Sequence, residues 1–546
     1  MRLRPYSRGA RYLMTEPTET EPTDALREAL SDEPPVDPPA PVSGARSPSS
    51  APASSVNPWW RIGDFGVVGL WITVVGCTIG YHEKWADEAQ AWLIARDLDL
   101  RTIWFHELRY EGSPGLWHTI LWVAQHVFHA RYGALGYIGM AGATAGVALL
   151  IFKAPFPRII RWPLAFTYFM VYQYAVIARP YTLLPLFCFA AAILFKDLKH
   201  PERMTVVLVL LANLSLHGTI IAGCLGLAYL IEAVRLWSTL EERVRKRYQI
   251  CVAVMALTFL FIVVILKPTP DVAEFAVKKE IGQMPASIQA MQPTKLVKLE
   301  AVISGAFFDF WLPSGSFIVL AGWWCFLRRR LLVYALPVLS LIGLYCLIHG
   351  YAHHHGTVFI AAITAVWVAW PDLEEQQVFT LFQRRVFRGM AALLICLFAL
   401  NIWDAEVAIR HEFLYPYSGA EDAANYLKSV GADRGVIVGF LYGVIGIQPY
   451  FDHNILANMP TAYYHHGMPL RAFDLDVDEF RRINPEYVVA FTEQPQIMME
   501  FGIPVIRAEG YEIVHVSDGY MIYKRGVYVR QVYLILRRTR PGPPQP

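Results

Sequence analysis

"WADEAQAWLIARDLDL", Trp85 to Leu100, stands a few residues after an apolar run at 62–80. An apolar run of about 17–25 residues is long enough to cross a bilayer as a helix. Directly after it comes a carboxylate pair, Asp87 and Glu88, opening a stretch rich in Trp, Leu, Ile and Ala that reads as a helix along the membrane face. Adjacent residues on a helix point about 100° apart, so the two acids address different surroundings. One can face a cavity while the other caps the helix start, where acids are favoured. The plainer alternative is that both are capping acids.

The rest of the chain sets the context for that pair. Of 546 residues, 55% are hydrophobic and 14% aromatic, and mean hydropathy is +0.33. Only 17% are charged, against roughly 25% in a soluble domain. Apolar runs recur near 62–80, 115–130, 134–152, 162–178, 181–195, 204–234, 249–266, 302–326, 331–348, 355–370 and 387–403. The pattern predicts an α-helical polytopic membrane protein with about 11 crossings, up to 13 if 204–234 divides at His217-Gly218. A net charge of +2 with no basic groove points to no nucleic-acid partner. The seven cysteines all fall inside apolar runs and read as small apolar side chains rather than disulfides or metal ligands.

Residues 1–57 are rich in Pro, Ser, Thr, Glu and Ala and predict a disordered cytoplasmic tail. Residues 58–404 form the membrane module, and 405–546 a small α/β domain. In that domain Ser418 and Glu421 have capping-box spacing and Gly431 closes the helix. "GVIVGF" and "YVVAF" read as strands, and "YEIVHVSDGYMIYKRG" as a hairpin turning at Asp518-Gly519. Basic loops at 235–247, 328–330 and 383–388 are expected to be cytoplasmic. The 81–114 loop, the 267–300 segment and the C-terminal domain then lie outside. On the same count "KAPFPRIIR" (153–161) falls outside too, against the rule, so the topology of 130–205 stays open. The 267–300 segment carries Lys267, Lys278, Lys279, Lys295 and Lys298 and reads as a lid, basic enough to favour a lipid phosphate.

The 81–114 loop also holds Arg109 and Glu111, in "RYEGSPGLW" just before the next apolar run. Ionisable groups held at a membrane face by flanking spans are usually functional. "DEAQAWLIARD…RYEGSPGLW" resembles the first outer loop of GT-C-class glycosyltransferases, which include the lipid A aminoarabinose transferases and the protein O-mannosyltransferases. The resemblance implies a multi-span helical core with an exoplasmic C-terminal domain, in the inner membrane of a bacterial cell envelope. It also implies a polyprenyl-phosphate sugar donor and a lipid, glycan or protein acceptor. By it, Asp87 is the catalytic base, and Glu88 and Glu111 are support or ligands for a divalent ion. Arg179, in "YAVIARPYTLL", resembles the class's Arg-x-Pro-Asp segment, with Tyr181 where an Asp is usual.

The chemistry supports that assignment independently. Transfer from a lipid phosphate to an alcohol needs a base for the acceptor proton and a cation for the departing phosphate. Arg179, His217 and the turn His353, His354 and His355 are the candidate phosphate-binding cations. His349 and His353 also have the i, i+4 spacing of a metal pair. A competing reading is a transporter or flippase of a lipid-linked or small polar substrate. It predicts internal repeats and ionisable groups near the bilayer midplane. No repeat is visible, and the acids gather at one rim.

Overall fold

The computed structural model describes residues 58–270, 294–347, 350–465 and 477–539. The predicted tail 1–57, most of the predicted lid with Lys278 and Lys279, and His349 lie outside the described residues. From Pro58 onward the described residues form one compact unit.

The apolar runs become α1 (Pro58–Tyr81), α3 (Leu116–His126), α4 (Leu135–Lys153), α6 (Leu184–Leu194), α7 (Pro201–Ala212), α8 (Leu216–Arg235) and α9 (Glu242–Ile265). They continue as α10 (Lys295–Ala306), α11 (Trp311–Leu327), α12 (Leu331–Leu347), α13 (Ala352–Val368) and α14 (Leu381–Leu414). Among the described residues five helices are long and apolar enough to cross a membrane, and a sixth span is formed if α10 and α11, bent by 73°, count as one. The 204–234 run does divide, but at Asn213–Ser215, where Ser215 caps α8 by accepting the Gly218 amide. The 162–178 run is not one helix. After the short α5 (Arg158–Ala165) it passes through a π-turn at Phe169–Gln173 and runs irregularly to Arg179.

Two contacts fix the direction of α4. Gly136 lies so close to Ile79 that a Cβ would stand 2.6 Å from it, and the Phe152 ring sits 4.9 Å from that of Phe65. α4 therefore runs antiparallel to α1, so the chain from His82 to Ala134 begins and ends at the same end of the bundle. α3 lies beside α2 (Ala86–Asp97) at that end: Trp122 donates to the Leu98 carbonyl and Gln125 to that of Trp92. Counting the 115–130 run as a full crossing is what put "KAPFPRIIR" on the unfavourable side. Its Arg158 and Arg161 instead pair with Asp64 near the start of α1, at 3.1 and 3.0 Å.

The C-terminal part is a four-stranded sheet in the order β1-β2-β4-β3, with β1 (Ile437–Phe440), β2 (Tyr487–Thr492), β3 (Tyr511–Ile522) and β4 (Tyr528–Arg538). β1 and β2 are parallel and the other pairs antiparallel. α15 (Ala420–Ser429) packs Ala420, Ala423, Ala424 and Leu427 inward. Gly431, in a left-handed conformation, follows its last turn as expected. Two local expectations are corrected. Asp518-Gly519 is not the turn: Gly519 pairs with Gln531 inside the ladder. The turn is at Lys524–Gly526, where Arg525 and Gly526 are both left-handed, at φ 63° and 68°. Nor do Ser418 and Glu421 form a capping box. The cap acid is Glu83, which accepts the Gly419 and Glu421 amides.

That cap is one of several ties between the sheet domain and the bundle. A second is the hairpin tip, where buried Lys524 reaches Asp309 at 3.0 Å and the Gly305 carbonyl at 3.3 Å. A third is Tyr442–Tyr450, a 3₁₀ segment laid along α2. A side chain at Gly446 would meet the Tyr533 hydroxyl of β4 at 2.6 Å, so glycine lets this segment lie close to the sheet, and the same Cβ would be in ordinary contact with the Ala86 amide of α2 at 3.8 Å. α2 is therefore not a helix lying on a membrane. Ala86 and all residues from Glu88 to Ala95 are buried, between α3 on one side and the sheet domain on the other.

Candidate active site

The first turn of α2 sends its two acids in different directions, as the helical angle requires. Glu88 turns inward and is wholly buried. One oxygen accepts from His82 Nε2 at 3.0 Å and from the Trp85 amide at 3.3 Å, and the other accepts the Ala178 amide at 2.7 Å. The second His82 nitrogen meets Glu412 of α14 at 3.0 Å, and Tyr172 donates to the same Glu412 oxygen at 2.5 Å. Burial alone would depress the His82 pKa, but the Glu412 and Glu88 carboxylates raise it to about 10. Burial pushes Glu88 the other way, and charged His82 brings its pKa below the usual carboxylate range. Glu88 thus joins α1, α14 and the residue before Arg179 through one fixed array.

Asp87 points away from that array, and its side chain is about one-fifth exposed. Its Oδ2 lies 2.7 Å from Arg179 Nη1, and its Oδ1 accepts from the Tyr442 hydroxyl at 2.9 Å. Burial and then the negative charge of Asp87 raise the Tyr442 pKa well above the ordinary value, so it remains a donor. Arg179 is held from every side. Its Nη1 is 3.1 Å from His353 Nε2, and its guanidinium lies over Trp85 and Tyr181 at 5.8 and 5.7 Å. Tyr181 in turn meets His217 Nδ1 at 3.1 Å, and the His217 ring is 4.9 Å from that of His354. Asp87, Arg179, His353, His217 and His354 are therefore one contiguous patch, assembled from four separate stretches of chain. His355 turns away and packs against Gly305.

Glu111 stands next to this patch. It accepts from Gln90 at 2.7 Å and lies 3.9 Å from His118. Gln90 clasps Tyr464 of the C-terminal domain through its backbone, accepting the amide at 2.8 Å and donating to the carbonyl. Beside it is a carboxyl that the sequence did not single out. Glu107, 1% exposed, has its pKa raised to about 8 by burial and then by Glu111. Tyr442, His82, Glu412 and Glu107 carry no local motif, and their partners are far away in sequence. For Glu107 the one available signal was its i, i+4 spacing to Glu111. Among the described residues no group of three or more His, Cys, Asp or Glu side chains is arranged to hold a metal ion.

No family model and no curated sequence matches the chain. Two solved structures do. ArnT from Cupriavidus metallidurans in the apo state matches with a TM-score of 0.50 and 12% identity, over 88% of this chain and 98% of that one. The same protein bound to undecaprenyl phosphate gives a TM-score of 0.48 at the same identity and coverage. The apolar helices and this likeness together make the chain an integral membrane protein, and its fold is that of ArnT, a lipid A aminoarabinose transferase of the GT-C class.

Proposed function

We propose that this protein is an integral-membrane glycosyltransferase that moves a sugar from a polyprenyl-phosphate donor to an acceptor at the outer face of a bacterial inner membrane. The observation that carries the reading is the Asp87–Arg179 pair at 2.7 Å, a base and a cation side by side and partly open to solvent. The acceptor oxygen attacks the anomeric carbon and gives its proton to Asp87. The bond from that carbon to the lipid-phosphate oxygen breaks, and the phosphate leaves with the electron pair. Arg179 uses Nη1 for Asp87 and His353, which leaves donors of its planar fork for phosphate oxygens. A fixed cation in a poorly screened site stabilises that charge most where it develops. His217, His353 and His354 line the same patch as further phosphate contacts. Glu111 and the C-terminal domain close its other side, with His355 and Glu88 in supporting positions.

In this proposal residues 1–57 and the basic ends of α8 and α11 are cytoplasmic, and the sheet domain is exoplasmic. The likeness of the fold to ArnT and the arginine beside Asp87 support a polyprenyl-phosphate donor. The test is reconstitution in liposomes with a polyprenyl-phosphate sugar labelled in the sugar. The proposal predicts label on a new acceptor and free polyprenyl phosphate. Intact donor carried across the bilayer with no bond broken would establish the transporter reading instead.

A further inference from the structure

At the opposite end of the bundle from Asp87, the ends of α6 and α8 and the α11–α12 turn enclose a pocket of about 520 Å³. Three arginines line it, Arg235, Arg329 and Arg330, against a single acid, Glu232. Glu232 is shared: Arg330 reaches it at 2.7 Å and Arg235 at 3.5 Å. Arg330 is further fixed with its guanidinium 5.7 Å over the Phe195 ring. Arg329 is exposed and has no carboxylate partner among the described residues. The pocket therefore has more positive charge than its own acid neutralises.

The backbone at Arg329 gives a second, independent observation. It follows the last turn of α11 in the left-handed region, at φ 56°. Its amide donates to the Phe326 carbonyl, and the next amide donates to that of Cys325, closing the helix. Glycine is the usual residue at such a helix end, because a Cβ is strained there. A long cationic side chain at this position costs local stability and puts a guanidinium at the pocket mouth. Strain of this kind tends to be kept at functional positions. The rim next to it is apolar and faces outward: Phe326 and Leu331 are 52% and 38% exposed. Charge at the end of a bundle with apolar surface beside it matches a molecule with an anionic head and hydrocarbon tails.

We infer that this pocket binds the phosphate of an anionic phospholipid, gripped by Arg329 and Arg235, with the acyl chains along Phe326 and Leu331. A free inorganic phosphate shares the head chemistry but not the tails, and the two are separable. The inference does not depend on the Asp87 chemistry.

The test uses the full-length protein in nanodiscs of phosphatidylcholine with and without phosphatidylglycerol. Native mass spectrometry counts the phosphatidylglycerol that stays bound on release. The wild type is expected to retain it, and an Arg329→Gly, Arg235→Gln variant is expected to retain it at least about fivefold less. Arg329→Gly removes the guanidinium while relieving the left-handed strain. Its melting temperature in pure phosphatidylcholine should therefore equal or exceed the wild type's, which separates lost binding from misfolding. Equal retention by wild type and variant would overturn the inference. So would loss of bound phosphatidylglycerol to millimolar inorganic phosphate, which would make the pocket a simple anion site.

Discussion

The two ends of the helix bundle use the same charged residue types in opposite ways. At the Asp87 end the charges are buried and interlocked: Glu88, His82 and Glu412 form a closed array, and Asp87 meets both Arg179 and Tyr442. At the other end some charges are also covered and paired, as Asp64 is with Arg158 and Arg161 and Glu232 with Arg330, but arginines outnumber acids around the pocket, and pairs such as Lys246–Glu242 stand in the open, 70% and 78% exposed. Burial explains the contrast. A charge taken out of water must be matched by a fixed partner, whereas one in water needs none. The first end therefore fixes its charges in one closed geometry, and the second leaves part of its positive charge unmatched, which suits chemistry at one and orientation or lipid contact at the other.

The largest effect expected at the buried end is on folding. His82→Ala leaves two buried carboxylates facing an empty space, and breaking a buried pair costs about 3–5 kcal/mol. Thermal melting in detergent reads this directly. Because the folded His82 pKa is raised to about 10, its contribution is full below its ordinary value and fades as pH rises through about 10. Glu88, with its pKa lowered, gives a contribution that is lost as pH falls through its folded value. The gap between wild type and variant should thus be widest at weakly acidic pH, above the ordinary carboxylate value of 4.5 and below the ordinary histidine value of 6.5, and should narrow towards both extremes. A gap that does not change with pH would mean that the array is not ionised.

Next is Arg179→Ala. Turnover should fall by about 10²–10³-fold, the size seen when a charge-stabilising donor is removed, with protein level unchanged. Arg179→Lys should restore it only in part, since it keeps the charge and loses the planar fork. If Arg179→Ala turns over normally, the phosphate site must be sought among His217, His353 and His354. Tyr442→Phe is smaller. It deletes one hydrogen bond to a charged group, worth roughly 1.5–3 kcal/mol, so about a tenfold loss in turnover is expected with the melting curve little changed. Unaltered turnover would mean that the C-terminal domain does not act on Asp87. At the exposed end, Lys246→Gln should move the melting temperature by no more than about a degree. A larger shift would break the contrast between the two ends.

How much of this was visible in the sequence differs from element to element. The apolar runs, the strands at 437–440 and 487–492, and the divergence of Asp87 from Glu88 follow from local periodicity, and each is present. The roles of Asp87 as base and Arg179 as phosphate cation come from the resemblance and from the need of the chemistry for both, whereas their pairing with each other has no signal in the sequence. What local pattern missed depends on distant partners. α2 reads as a helix along a membrane face because it is rich in Trp, Leu, Ile and Ala. Those side chains are buried within the protein instead, with Ala86 and Ala89 in one cluster with Ile445 of the Tyr442–Tyr450 segment. Asp518-Gly519 carries a strong turn signal, yet the ladder continues through it, since pairing with β4 outweighs the local preference. The cap of α15 comes from Glu83, far upstream, which no capping-box spacing can reveal.

The central claim is that the Asp87 carboxylate does chemistry and the Glu88 carboxylate next to it holds the site together. The most direct measurement compares glycolipids by mass spectrometry from cells expressing wild type, Asp87→Asn or Glu88→Gln, with membrane level and melting temperature followed in parallel. The account predicts that Asp87→Asn abolishes the transferred-sugar product at wild-type level and stability, while Glu88→Gln lowers the melting temperature. An Asp87→Asn protein that still forms the product, or that loses product only because it fails to fold, would contradict it.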